Sequence, residues 1–488
     1  MADELTGNIS GTKLFVLGTA SIVGPWLMLT AQWIGYTGVS VCLAFIACGL
    51  LCLPIGLCYG ELAGLFKNKG GSYEYVRSAF NRDTGYWISW TTMFTYVSLI
   101  VFQLVCVATI VGYAGNLDIS GVTLYAFVIF LMVLMTLLNS RNIEIAGSLQ
   151  MVLFVVLVVS GVVSVVSFVT NGNWDLSNMG DFLQQGLISR NEVMGIDTGL
   201  LMAIAALVTM FFGFELIPQF AGESSYPVNK YWRLMLGGII FVIIFDSLIC
   251  FAEAGMAPFD YYETGATYAN SYDLIQHLYS DPGGFVGAVF ADQYVGSWLS
   301  WTLIIGNVCC MFCCLIGFWL GGSRILYSMG CAGSLPRFFG KTNKSGVPSW
   351  GNYFVLILVF ILTMIALSGD KWINATFSLM ALGCGFTYFG VSVAFLKLKK
   401  SRPDLERPWT APAGTVVGII ASCSAAFMTI MMIYTIISSA LNDDPTMLLM
   451  TVVFFAIVGV IFAYLKKDQK AHPENYDEEP LLPPKEEA

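Results

Sequence analysis

Long apolar stretches alternate with short polar ones along this chain, and twelve of the apolar stretches can cross a bilayer: 14–34, 38–62, 84–114, 121–139, 144–169, 198–218, 234–255, 296–328, 351–368, 373–397, 414–439 and 446–465. A spanning helix needs roughly 20 apolar residues, because hydrocarbon offers its backbone N–H and C=O groups no partners and the helix must satisfy them internally. Two stretches break that rule at matching places. The first is interrupted at Ser21-Ile22-Val23-Gly24-Pro25 and the sixth at Phe211-Phe212-Gly213-Phe214-Glu215-Leu216-Ile217-Pro218. Polar backbone freed at membrane depth is tolerated only where it lines a cavity that binds something. Two breaks therefore predict one site.

Composition agrees with a polytopic membrane protein: 488 residues, 57% hydrophobic, 11% charged and a mean hydropathy of +0.73. The net charge of −9 matters less than its distribution. With the N-terminus inside, nearly every Lys and Arg falls on an inner loop and only Arg190 and Lys371 fall outside. The positive-inside rule then places both termini in the cytoplasm of a multi-pass protein of the plasma (inner) membrane. No cleavable signal peptide is expected before the first span. The outer loop 256–295 is acidic and the tail after Lys470 is rich in Pro and Glu, so the tail is expected to be disordered. Both histidines, His277 and His472, lie outside the spans, which argues against a histidine relay or haem site within the membrane. Nearly all thirteen cysteines lie within spans, where Cys acts as a small hydrophobe; the run Cys309-Cys310-Met311-Phe312-Cys313-Cys314 reads as packing before it reads as a soft-metal site. No metal, cofactor or nucleic-acid partner is expected.

The breaks are five spans apart, an odd number, so the halves enter the membrane from opposite sides and are related by a pseudo-two-fold axis in its plane. Several segments then carry a family resemblance: Gly18-Thr19-Ala20-Ser21-Ile22-Val23-Gly24; Gly60-Glu61-Leu62-Ala63-Gly64-Leu65-Phe66 with Gly70-Gly71-Ser72-Tyr73; Phe212-Gly213-Phe214-Glu215 with Glu223 and Pro227; Ser323-Arg324-Ile325-Leu326-Tyr327 with Leu335-Pro336; and Arg402-Pro403-Asp404 with Arg407-Pro408-Trp409. In this order and spacing the chain resembles the amino acid, polyamine and organocation (APC) transporter family over nearly its whole length. The resemblance implies an all-α integral membrane fold, a leucine-transporter-type 5+5 inverted repeat plus two C-terminal helices. Its expected parts are an N-terminal segment 1–13, repeats 14–169 and 198–397, two further spans with their preceding loop at 398–466, and a tail 467–488. It also implies alternating access around a central site for a small amine or amino acid, in a lipid bilayer, and leaves a homodimer open.

Expected substrate-binding positions are Ser21, Ile22, Gly24, Pro25, Thr209, Phe212, Gly213, Phe214 and Trp319, with Glu215, Glu61 and Asp246 in coupling or gating. Unwound backbone can hold an anionic group on freed N–H donors and an ammonium on freed carbonyls. The chain departs from the family's small-residue break at Gly24-Pro25-Trp26, where Pro25 has no N–H and Trp26 is bulky. That departure weakens carboxylate recognition and favours amine-directed substrates, unless Pro25 merely starts the second half-helix. Glu215 needs a partner, a cavity or a proton at membrane depth, and in the family the glutamate at this place takes part in proton-linked gating or amine recognition. Its alternative role is to bond free amides of the second half-helix. Asp246 is expected to bond a neighbouring Ser or Thr in preference to an ion, and Trp319 to pack in preference to covering substrate. Glu61 is expected to pair with an inner-loop Lys or Arg. Proton coupling through Glu215, sodium coupling and exchange all stay open. A transporter-like nutrient sensor is the alternative reading; an enzyme is not expected, since no catalytic constellation is found.

Overall fold

The computed structural model describes residues 5, 7–66, 71–179, 192–193, 196–197, 199–256, 260–261, 266–267 and 285–476. Most of the acidic 256–295 loop, Gly70, Arg190, His277 and the tail beyond 476 lie outside them.

The described chain is nearly all helix. The first span is split into α1 (Gly11–Ile22) and α2 (Trp26–Thr37), followed by α3 (Val41–Leu65), the short α4 (Ser72–Ala79), α5 (Arg82–Gly115), α6 (Gly121–Asn139) and α7 (Ile143–Val169). The sixth span opens with α8 (Leu200–Ala206) and continues in 3₁₀ geometry through Leu207–Phe211 and Phe214–Glu223. Then come α9 (Tyr231–Met256), α10 (Val286–Phe290), α11 (Ser297–Cys331), α12 (Ser349–Ala366), α13 (Asp370–Ser401), α14 (Gly414–Leu441) and α15 (Thr446–Ala471).

Among the described residues, eleven helical stretches are long and apolar enough to span a membrane, the first running Trp26–Leu65 for 40 residues. As one rod it would extend about 60 Å, twice a hydrocarbon core. It instead turns at Gly38, whose φ of 66° and ψ of −149° end α2, so α2 closes the first span and α3 is the second. Local signals set other ends: Asn81 Oδ1 accepts the Thr84 N–H at the start of α5 (2.8 Å), Asn142 Oδ1 accepts that of Glu144 at the start of α7 (2.8 Å), and Asn116 ends α5 in the left-handed region. The last helix runs to Ala471, beyond the expected start of the tail at 467, and Tyr476 folds back to donate to Asp468 Oδ2 (2.6 Å).

Burial separates lipid-facing from central spans. Leu449, Val452, Ile457 and Val460 on α15 are exposed apolar side chains, as expected where lipid replaces protein. The most buried long helices are α5, α11 and α13. They pack so that α7 lies on α11 as α13 lies on α5. This reciprocity is what exchanging spans one to five with spans six to ten requires.

Candidate functional site

Val23 and Pro25 leave helical geometry between α1 and α2, so carbonyls at the end of α1 lose their intrahelical partners. A stripe on α11 supplies replacements. Cys310 Sγ donates to the carbonyls of Val23 (3.0 Å) and Gly24 (3.3 Å), and Cys314 Sγ reaches those of Val23 (3.4 Å) and Ser21 (3.5 Å). One turn earlier, Asn307 Oδ1 accepts the N–H of Leu27 at the head of α2 (2.9 Å). One turn later, Gly317 leaves the space that Ser21 Oγ occupies, where no Cβ would fit. Positions 307, 310, 314 and 317 share one helical face. From α7, Gln150 Nε2 donates to the Cys313 carbonyl (2.9 Å) and to Ser21 Oγ (3.3 Å). Pro25 precedes the first residue of α2 and its carbonyl accepts from Met28 and Leu29 (3.0 and 3.1 Å). Two donors that could have held an anion are thus gone: Pro25 has none, and that of Leu27 is taken.

The second break is a turn at Phe212–Gly213. Gly213 has φ 148° and ψ −23°, a conformation strained for any residue with a Cβ. A Cβ there would also lie 3.0 Å from Ile22 Cγ1 and 3.3 Å from the Ile22 nitrogen. The two breaks therefore touch, backbone against backbone. Ser21, Ile22, Phe212 and Phe214 are all buried at this contact, so no open cavity separates the breaks.

Glu215 lies just beyond, fully buried. Its Oε2 accepts from the Gly213 N–H (2.8 Å) and lies 3.2 Å from the Tyr388 hydroxyl, while Oε1 accepts from the Tyr96 hydroxyl (3.2 Å). Gln219 Nε2 in turn donates to Tyr96 (2.7 Å). The carboxylate thus caps the half-helix it belongs to and is tied to α5 and α13.

Open space lies to one side of the breaks. A narrow cleft runs between α2, the first half of span six, α5 and α13, lined among others by Gln32, Trp33, Tyr36, Thr209, Met210 and Ser378, and none of the described residues on its walls is charged. Met210 and Trp33 lie against Gly24 and form its floor.

The family model for amino acid permeases matches residues 9–462. The chain belongs to the amino acid permease family. It is 21% identical over 482 residues to a "probable threonine/serine transporter" of Bacillus subtilis, covering 95% of each chain, and 22% identical over 503 residues to a gamma-aminobutyric acid permease of the same organism, covering 96% of each. A "probable agmatine/putrescine antiporter" of Lactococcus lactis is 24% identical over 410 residues, covering 80% of this chain and 79% of its own. The family makes this a membrane transporter and not an enzyme.

In this permease the end of the bundle that carries the chain's N-terminus is closed by ion pairs on two buried carboxylates, Glu223 and Glu61. Arg324 on α11 meets Glu223 through Nη2–Oε1 (2.8 Å) and Nε–Oε2 (2.9 Å), with side chains 1% and 0% exposed. The Glu223 carbonyl also accepts the N–H of Ile9, pinning the segment before α1 (2.9 Å). Glu61 pairs with Lys399 (3.0 Å) and Arg407 (3.0 Å) and accepts the N–H of Ala411 (2.8 Å). Thr209 faces the cleft while its hydroxyl donates to the Ala206 carbonyl (3.0 Å). Trp319 does not reach the breaks: its indole N–H donates to Asn352 on α12 (2.6 Å). Asp246 has no hydroxyl partner, since neither carboxylate oxygen accepts a hydrogen bond.

Sequence reading missed Asn307, Gln150, Tyr96, Tyr388 and the thiols as partners of the breaks. The 307–310–314–317 spacing carried a signal for the α11 stripe. The tyrosines carried none, because aromatics are common throughout the spans.

Proposed function

We propose that this permease is a proton-linked secondary transporter for net-neutral amino acids, working by alternating access around the two breaks. The observation that carries the substrate reading is the cleft that leads to the breaks without a charged wall. A zwitterion needs dipoles, which Gln32, Tyr36, Thr209, Ser378 and the broken backbone supply; a diamine needs carboxylates, and the described residues of the cleft walls offer none. The amine-directed expectation had two supports. The loss of anion donors at Pro25 and Leu27 stands, but Glu215 lies beneath the breaks with its oxygens already engaged, so it is not waiting for an ammonium. The cleft at one end and the ion pairs at the other describe the outward-open half of the cycle, if the Lys- and Arg-rich end is cytoplasmic.

A hydrogen count supports proton coupling. The Tyr388 hydroxyl has one hydrogen and two acceptors, the Phe211 carbonyl at 3.0 Å and Glu215 Oε2 at 3.2 Å. With Glu215 ionised, one of these contacts sets lone pair against lone pair. A proton on Oε2, donated to Tyr388 while Tyr388 donates to Phe211, satisfies both.

The test is uptake into proteoliposomes of threonine, 4-aminobutyrate and putrescine, with and without an inward proton gradient. We expect gradient-driven accumulation of at least one zwitterion and none of putrescine. Transport of putrescine alone would overturn the substrate reading, and binding without transport would favour the sensor.

A further inference from the structure

Span seven carries two acids that the breaks do not use. Asp246 and Glu253 on α9 are 0% and 1% exposed; among the described residues neither Asp246 oxygen has a hydrogen-bond partner, and Glu253 meets only the Thr30 hydroxyl of α2, whose hydrogen goes to the Trp26 carbonyl (2.6 Å). They lie seven residues apart, two helical turns along one face. Both sit on the seam between α9 and the second half of the broken first span. Next to Asp246, Phe245 meets Trp26 of α2 edge to face at 5.5 Å. Glu253 is covered by α10, where a Cβ on Gly287 would lie 2.6 Å from its Oε1 and 3.2 Å from Leu27 of α2.

An ionised carboxylate buried with no donor costs several kcal/mol, and two on one face add repulsion. Something neutralises them. A hard cation takes six or more oxygen ligands, whereas the groups beside Asp246 are thiols and aromatic rings. Among the described residues no three His, Cys, Asp or Glu side chains come together to hold a metal ion. A proton needs no such shell.

Among the described residues, the groups facing the pair leave it without a counter-charge. Beside Asp246 stand the Cys250 thiol on α9 and the Cys310 thiol on α11, the latter committed to the carbonyls of Val23 and Gly24. Cys250 also neighbours Glu253, with Cys42 of α3 behind it. Neither α2 nor α10 contains a charged residue, and the charged residues of α1 and α7, Lys13 and Glu144, sit at their opposite ends. Asp175, near Gly255, is exposed and held by Ser177, and Asp292, after α10, is exposed.

We propose that Asp246 and Glu253 form a proton-binding site distinct from Glu215, loaded while α2 and α10 are closed on α9 and emptied when that seam opens to water. Protons then favour the closed seam, because only a neutral pair tolerates its dry interior. Occupancy of the site follows from burial alone; its link to movement of α2 rests on the transport reading above.

The experiment uses the full chain in lipid nanodiscs and needs no substrate. Infrared spectra at neutral pH should show carbonyl stretches of protonated carboxyl groups, part of which Asp246→Asn removes and another part Glu253→Gln removes. Both substitutions keep side-chain volume and imitate the neutral acid, so folding is preserved. A jump from neutral to alkaline pH, followed with a pH dye, should release two more protons per wild-type chain than per double variant. Intact bands in both variants, or equal proton release, would overturn the proposal. Neither result depends on what the permease transports, so failure here is distinguishable from failure of the substrate reading.

Discussion

The thiol of Cys310 lies 3.0 Å from the carbonyl oxygen of Val23, and through this bond an unbroken helix holds a broken one open. Freed carbonyls grouped at membrane depth are the ligand type that hard cations choose. Here S–H donors point at them.

From that geometry we expect transport to be indifferent to sodium. Replacing sodium by choline on both sides of a proteoliposome should leave the uptake rate unchanged. Cys310→Ser keeps a donor and should keep most of the activity. Cys310→Ala leaves Val23 with Cys314 alone (3.4 Å) and takes the thiol from the Gly24 carbonyl, a loss of about 1–3 kcal/mol, and should lower apparent substrate affinity about tenfold or more. Equal loss in both variants would mean that the sulfur packs and does not donate.

Gly213 and Gly24 should respond differently. At Gly213 a side chain meets both a positive φ of 148° and the Ile22 backbone, and the conformation alone costs an L residue about 1–2 kcal/mol. At Gly24 the nearest obstacle is the sulfur of Met210, the end of a flexible chain that can move. Gly213→Ala should therefore abolish uptake while the protein still reaches the membrane, whereas Gly24→Ala should retain part of it. Uptake assays on membranes matched for protein content check the order.

The contrast between these two glycines marks what the sequence could reveal. Both breaks were legible because Gly-Pro and Gly-x-Glu interrupt apolar runs that otherwise obey the 20-residue rule, and the inward meeting of the breaks followed from their five-span offset. Their direct contact was not legible, since it depends on which faces of α1 and span six turn toward each other. Glu215 stood out as a membrane-embedded acid, but its donors come from Tyr96 and Tyr388, 119 and 173 residues away. Trp319, a position that resemblance suggested but that was expected to pack in preference to covering substrate, faces Asn352 because it lies about half a turn round α11 from Gly317.

The ion pairs of Glu223 and Glu61 at the closed end should separate by burial. Glu223→Gln leaves the Arg324 guanidinium buried beside a neutral amide, and breaking such a pair costs about 3–5 kcal/mol. Of the partners of Glu61, in contrast, Lys399 is 26% exposed and can turn to water, and Arg407 keeps the carbonyls of Leu398, Arg402 and Leu405. Glu61→Gln should thus cost less stability and mainly ease opening at this end. Thermal unfolding of both variants in detergent, with labelling by a charged thiol reagent applied from the Lys- and Arg-rich side, checks this. A larger loss of melting temperature in Glu61→Gln than in Glu223→Gln would reverse the assignment.

Coupling at Glu215 makes the last prediction, and the hydrogen count at Tyr388 fixes its direction. Glutamine has no proton to bind or release, and an amide NH2 turned to donate to Tyr388 cannot accept the Gly213 N–H as Oε2 does, so Glu215→Gln takes the proton out of the cycle at the cost of that cap. Such a variant should exchange internal for external substrate yet fail to accumulate it, because no proton is bound or released in the cycle. Tyr388→Phe removes the hydroxyl from both the Phe211 carbonyl and Glu215 Oε2, leaving the carboxyl held by Gly213 and Tyr96. That variant should keep proton dependence but move it, since the hydroxyl that accepts the proton on Oε2 is gone. Counterflow and gradient-driven uptake of threonine and 4-aminobutyrate, measured over a range of pH, distinguish the two behaviours. Undiminished accumulation by Glu215→Gln would show that the driving proton binds elsewhere, with Asp246 and Glu253 the next acids to remove.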